Sequence, residues 1–101
     1  MEILENKKNL DVFLSNTREN SQKIGLIPTM GSIHKGHLSL VEKSKNTNCF
    51  SLTTIFINPT QFNDPKDFYE YPQNRDLDIT RLKQAQCDAL YLYRHDLQLS
   101  S

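Results

Sequence analysis

The sequence predicts an α/β fold, a parallel sheet with helices on both faces that forms half of a doubly wound domain. Two observations carry this. Short apolar runs of strand type alternate with segments of helical period, and strand–helix–strand order implies right-handed crossovers that pack helices onto a parallel sheet. The run "CFSLTTIFIN", Cys49–Asn58, is rich in β-branched and aromatic residues without an in–out alternation, as a strand buried on both faces is. With 101 residues there is room for one small domain.

Element by element, "KKNLDVFLSNTRE" (7–19) places Leu10, Phe13 and Leu14 at i, i+3 and i+4, an amphipathic helix with one apolar stripe. "KIGLIP" is a short apolar run ended by proline, which predicts a strand over 23–27 and a turn at Thr29–Ser32. Leu38 and Val41 share a face opposite Glu42, Lys43 and Lys45, giving a helix over 35–46 closed by "NTN". After the second strand, "NPTQFNDPKDFYEYPQN" holds three of the four prolines and reads as loop. A third helix is expected over 75–86, with Asn74 as N-cap and Asp76 and Asp78 in its first turn. "CDALYLY" supplies a third strand over 88–92. The predicted order is thus one helix followed by strand–helix–strand–helix–strand.

Composition narrows the partners. Lys+Arg and Asp+Glu are 12 each, so no net field attracts nucleic acid or an anionic membrane. The start "MEILENKK" has acids before any base and no long apolar core, unlike a secretory signal. No apolar run reaches the roughly 18–20 residues of a membrane span. Cys49 and Cys87 lie far apart without a CxxC partner, so reduced, partly buried thiols and a cytoplasmic location are expected. The hydrophobic fraction of 37% and mean hydropathy of −0.61 point to a thin core.

Ligands of such sheets bind beyond the carboxyl ends of the strands, here at loops 28–36 and 58–73. In the first, "PTMGSIHKGH" sets Gly31 and Gly36 for close backbone approach or positive φ. A helix starting near Lys35 would aim its unpaired N–H groups at the loop, an anion site. His34 and His37, less than a turn apart, could both donate to one phosphate, and either charge state is accessible near neutrality. Spacing alone leaves other readings open: a surface or core histidine, or a metal pair, though no third ligand lies nearby. The Gly31–Gly36 spacing lacks the Gly-Lys-Ser/Thr ending of a Walker A loop.

"PTMGSIHKGH" closely resembles the nucleotide-binding loop of the pantothenate synthetase (pantoate–β-alanine ligase) family. His34-Lys35-Gly36-His37 is its His-x-Gly-His signature, shared with the wider nucleotidyltransferase superfamily. "FINPTQF" (56–62) resembles the family's Asn-Pro-x-Gln-Phe segment, and "DFYEYP" (67–72) its next landmark. The resemblance runs from about Lys23 to Tyr91. It departs at Gln73, where the family usually has arginine, and in the ending "YRHDLQLSS", where a small residue and proline are usual at 93–94.

This resemblance implies the N-terminal half of a Rossmann-like nucleotidyltransferase domain, residues 1–101, without the rest of the sheet or the lid domain. It implies ATP-dependent joining of pantoate to β-alanine through a pantoyl adenylate, with pyrophosphate and AMP released. ATP-binding residues would be Met30, Gly31, Ser32, Ile33, His34, Lys35, Gly36 and His37, with His37 and His34 catalytic. Gln61 and Asn58, with Pro28, Thr29 and Met30, would bind pantoate and β-alanine. Read without the resemblance, Asn58-Pro59 is a strand stop and Gln61 a solvated loop residue. ATP would be a substrate, accompanied by Mg2+. Asp78 aligns with a carboxylate linked to magnesium in relatives, against the plainer reading of an acid offsetting the helix dipole. The partners expected are these small molecules and a second copy of the chain, with no nucleic acid or membrane. The 101-residue chain alone is expected to be inactive, its first strand central in a complete sheet and bare on one edge here. Two alternatives are another adenylyltransferase and a non-enzymatic nucleotide-binding module.

Overall fold

A strand absent from the sequence reading opens the chain: β1, Glu2–Leu4, three residues with one buried side chain, Leu4. So short a segment carries no readable period. Pairing holds it, with Glu2 opposite Ala89 and Leu4 opposite Tyr91. The Glu2 amide also donates to the Asp88 carbonyl at 3.0 Å.

The structure is a computed structural model that describes residues 1–57 and 72–94. Among these, β1 is followed by α1 (Lys7–Glu19), β2 (Lys23–Thr29), α2 (Lys35–Asn46), β3 (Cys49–Ile57), α3 (Pro72–Gln84) and β4 (Ala89–Arg94). All pairings are parallel, in the order β1-β4-β3-β2. The predicted α/β class and the bounds of α1 and α2 agree with this. Helix α1 covers one face, where Phe13, flanked by Leu10 and Leu14, packs with Leu4, Leu52 and Ala89. The other face carries α2 and α3, whose Val41 and Leu82 pack with Ile27, Ile55 and Leu90. Burial on both sides, with Ser51, Leu52 and Thr53 buried in succession, explains why β3 shows no in–out alternation. No helix among the described residues is long and apolar enough to cross a membrane. Cys49 and Cys87 are free thiols, Cys87 buried.

Three boundaries differ from expectation. Strand β2 runs through Pro28 to Thr29, and among the described residues it is an edge strand pairing with β3 alone; an edge tolerates proline's missing N–H. Helix α3 starts at Pro72, whose fixed φ suits a first helical position. Asn74 is therefore not its N-cap, and the first turn holds no acid. Strand β4 continues to Arg94. The expected second loop, with Asn58 and Gln61, lies outside the described residues, as do Asp67–Tyr71 and His95.

One glycine sets where α2 lies. A Cβ on Gly25 would stand 2.1 Å from Ser44 Oγ and 2.9 Å from Ser44 Cβ. Helix α2 approaches β2 this closely only because position 25 has no side chain.

Candidate functional site

The loop between β2 and α2 is built from its own backbone outward. Thr29 Oγ1 donates to the Thr54 carbonyl at 3.0 Å and accepts from the Gly31 amide at 3.1 Å. Gly31 then takes φ 97° and Ser32 φ 54°, two successive left-handed residues. The first is free for glycine, whereas the second carries a cost for serine. Ile33 follows, fully buried in the core between the sheet and α2/α3, which pins the loop to the fold.

Helix α2 begins with a two-histidine cap. His34 is the N-cap, and its Nδ1 accepts from the Gly36 amide at 3.0 Å. The His34 amide donates to Nδ1 of His37 at 3.1 Å, the return half of a capping box in which both side chains are imidazoles. The ring centroids are 3.9 Å apart with planes tilted by 35°. Because each Nδ1 is an acceptor, each neutral ring carries its proton on Nε2, the position left for donating outward. Burial lowers the His37 pKa, and the neighbouring His34 lowers it further, while the Asp78 carboxylate pulls the other way. Gly36 does not have positive φ, as the sequence allowed. It sits inside the helix, where a Cβ would come within 2.9 Å of His34 Cε1, so the glycine makes room for the capping ring.

Helix α3 grips this loop from the other side. Asp78 Oδ1 accepts from the Ile33 amide at 2.9 Å and Oδ2 from the Ser32 amide at 3.1 Å. One turn on, Arg81 Nη1 donates to the Ile33 carbonyl at 2.6 Å. Asp78 is thus buried mid-helix against two loop amides, and the dipole-offset reading does not hold. Among the described residues no group of three His, Cys, Asp or Glu side chains could hold a metal ion.

Of the predicted site residues, the structure gathers Thr29 and Gly31 through His37 at the carboxyl end of β2. Pro28 and Met30 are exposed there, as is Lys35 on the first turn of α2. Sequence reasoning missed the clasp by Asp78 and Arg81. A signal existed: Asp78 stands one turn before Leu82, on the buried stripe of α3, and an acid in such a position must have partners.

A family model of pantoate-β-alanine ligases matches residues 2–96, wider than the motif span from Lys23 to Tyr91. The chain belongs to the pantoate–β-alanine ligase family. It is 41% identical over 93 residues to a pantothenate synthetase of Bacteroides fragilis, 92% of this chain and 32% of that one. It is 39% identical over 83 residues to that of Cytophaga hutchinsonii, 82% of this chain and 29% of the relative. Among solved structures it resembles the Francisella tularensis pantoate-β-alanine ligase complexed with β-γ ATP and β-alanine. That match has a TM-score of 0.74 and 40% identity, and covers 93% of this chain and 36% of that one. A pantothenate synthetase of Thermus thermophilus matches with a TM-score of 0.63 and 30% identity, covering 92% of this chain and 32% of that one. The chain therefore spans about a third of the length of the family members it matches.

Proposed function

We propose that the β2–α2 loop binds ATP as the N-terminal part of a pantoate–β-alanine ligase site. The observation that carries this is the His34–His37 cap. Two rings, 3.9 Å apart at a helix start, each have Nδ1 engaged by backbone and so keep Nε2–H for an incoming anion. The helix dipole adds to this, since it favours negative charge at the start of α2. The Francisella relative was solved with β-γ ATP and β-alanine, which supports small-molecule substrates of this kind.

In the proposed chemistry the pantoate carboxylate attacks the α-phosphorus of ATP, the α–β phosphoanhydride bond breaks, and pyrophosphate leaves. The amine of β-alanine then attacks the acyl carbon of pantoyl adenylate, AMP leaves, and the amine loses a proton. In the first step charge grows on phosphate oxygens. His37 and His34 meet it with donors already fixed by the cap, so little reorganisation is needed as charge develops. Thr29 and Gly31 hold the loop against β3, which keeps those donors in place relative to the sheet. Pantoate and β-alanine are assigned to Gln61 and Asn58 together with Pro28, Thr29 and Met30. Mg2+ is proposed to accompany the ATP and to offset the charge of its phosphates.

For the 101-residue chain alone we propose nucleotide binding without turnover, because relatives are about three times as long. The test is calorimetric titration of ATP into this chain and its His37→Ala form, alongside an assay for AMP release with pantoate and β-alanine. Saturable ATP binding that weakens about tenfold in the variant is expected, the worth of one charge-assisted hydrogen bond. Binding unaffected by the variant contradicts the site, and brisk AMP release contradicts the part-site reading.

A further inference from the structure

We propose that Asp78 and Arg81 are positioning residues, which hold the β2–α2 loop in the shape that presents the His34 and His37 rings to a nucleotide. The proposal rests on the nucleotide-binding reading above for its ligand, but its geometry stands independently.

Two successive left-handed residues, Gly31 and Ser32, turn neighbouring amide N–H groups toward a common concavity, the arrangement that elsewhere receives an anion. Here the anion is internal. The Asp78 carboxylate takes the Ser32 and Ile33 amides, one on each oxygen, and is itself 1% exposed. Two consequences follow. Those two amides are already committed and do not serve a phosphate. The fixed negative charge also disfavours a phosphate on that side of the loop, which directs it to the helix start and the imidazole Nε2–H donors. Asp78 and Arg81 act as a pair, since residues three apart on a helix share a face. The carboxylate holds the amide side of Ile33 while the guanidinium holds its carbonyl. Ile33 directly precedes the N-cap, so its placement fixes where His34 starts the helix and where both rings lie. The clasp also offsets the left-handed serine: a buried carboxylate accepting two N–H groups forms strong, charge-assisted bonds.

Neither residue touches the reacting atoms in this account, so the test needs a readout other than turnover. Amide hydrogen exchange and histidine ring resonances are followed by NMR in the 101-residue chain and its Asp78→Asn, Arg81→Met and Arg81→Lys forms, with ATP affinity measured on each. Asparagine offers one acceptor oxygen where two amides need partners. Asp78→Asn is therefore expected to speed exchange at Ser32 and Ile33 about tenfold or more, while Ile55 and Leu90 in the core stay protected. The His34 and His37 ring signals should shift and ATP affinity should fall severalfold. Arg81 is an exposed residue, so its variants keep the fold even if Asp78→Asn does not. Arg81→Met should move the same signals, and Arg81→Lys, which keeps a donor, should restore part of the change. Unchanged exchange at Ser32 and Ile33 with unmoved ring signals, or methionine and lysine variants equal to the parent, overturns the proposal. A parent chain that binds no ATP, yet shows these exchange and ring changes, sinks the nucleotide reading and leaves the clasp supported.

Discussion

The backbone N–H of His34 donates to Nδ1 of His37 at 3.1 Å, and the two rings stack at 3.9 Å between centroids. The cap works only while His37 is neutral at Nδ1, since a protonated ring has no acceptor to offer. Helix start, ring orientation and charge state are thus one linked property.

That linkage gives a pH dependence with a definite sign. His37 has its pKa lowered from 6.5 by burial and by His34, against the opposing pull of Asp78. Below 6.5 the unfolded chain binds a proton that the folded chain resists, so stability from this group is fully present above that pH. It declines as pH falls toward the depressed folded value. Histidine ring NMR should place the His37 midpoint below 6.5, and thermal melts should show stability falling on acidification through that window. A His37 midpoint above 6.5 contradicts the capped geometry.

Gly36→Ala tests the cap sterically. The new Cβ would lie 2.9 Å from His34 Cε1, so the ring must leave its place and the Gly36 amide loses its acceptor. Denaturant unfolding should show a loss of about 0.5–2 kcal/mol, the usual worth of an N-cap, with weaker ATP binding.

The fit of α2 against β2 is tested by Gly25→Ala. Its Cβ would overlap Ser44 Oγ at 2.1 Å, forcing the helix outward at an expected cost of about 1–3 kcal/mol. Adding Ser44→Ala removes the hydroxyl but leaves Ser44's Cβ position 2.9 Å away, so only part of the loss should return. Melting of the single and double variants reads both effects.

Thr29→Val addresses the strand end. Valine keeps the shape but drops the hydroxyl that donates to the Thr54 carbonyl and accepts from the Gly31 amide. Two buried or half-buried partners lose their bond, so a cost of about 1–3 kcal/mol is expected on unfolding. Because Gly31 opens the loop, ATP affinity should fall as well; a variant that binds ATP like the parent would detach Thr29 from the site.

Much of this fold was legible because its signals are local and repeated. The stripe of Leu10, Phe13 and Leu14 and the face of Leu38 and Val41 predicted α1 and α2 to the residue. The apolar run of β3 likewise announced a strand with both faces covered. Strand β1 was not legible, since three residues held by pairing to β4 carry no period of their own. The start of α3 was misplaced because Asn74 is a good cap, but Pro72 is a better first residue. At the site, the histidines and glycines could be read from their spacing and their family resemblance. The mutual capping of the two rings, and the reach of Asp78 and Arg81 across more than forty residues to Ser32 and Ile33, are tertiary facts that local pattern does not encode.

Titrating ATP into the isotopically labelled 101-residue chain, with amide and histidine ring shifts mapped, shows whether the His34–His37 helix start receives the ATP phosphates. Saturable changes centred on Met30–His37 are expected, with both histidine Nε2 signals moving together. Changes absent from this loop, or centred instead on the groove between α2 and α3 near Lys45 and Gln86, would contradict that binding.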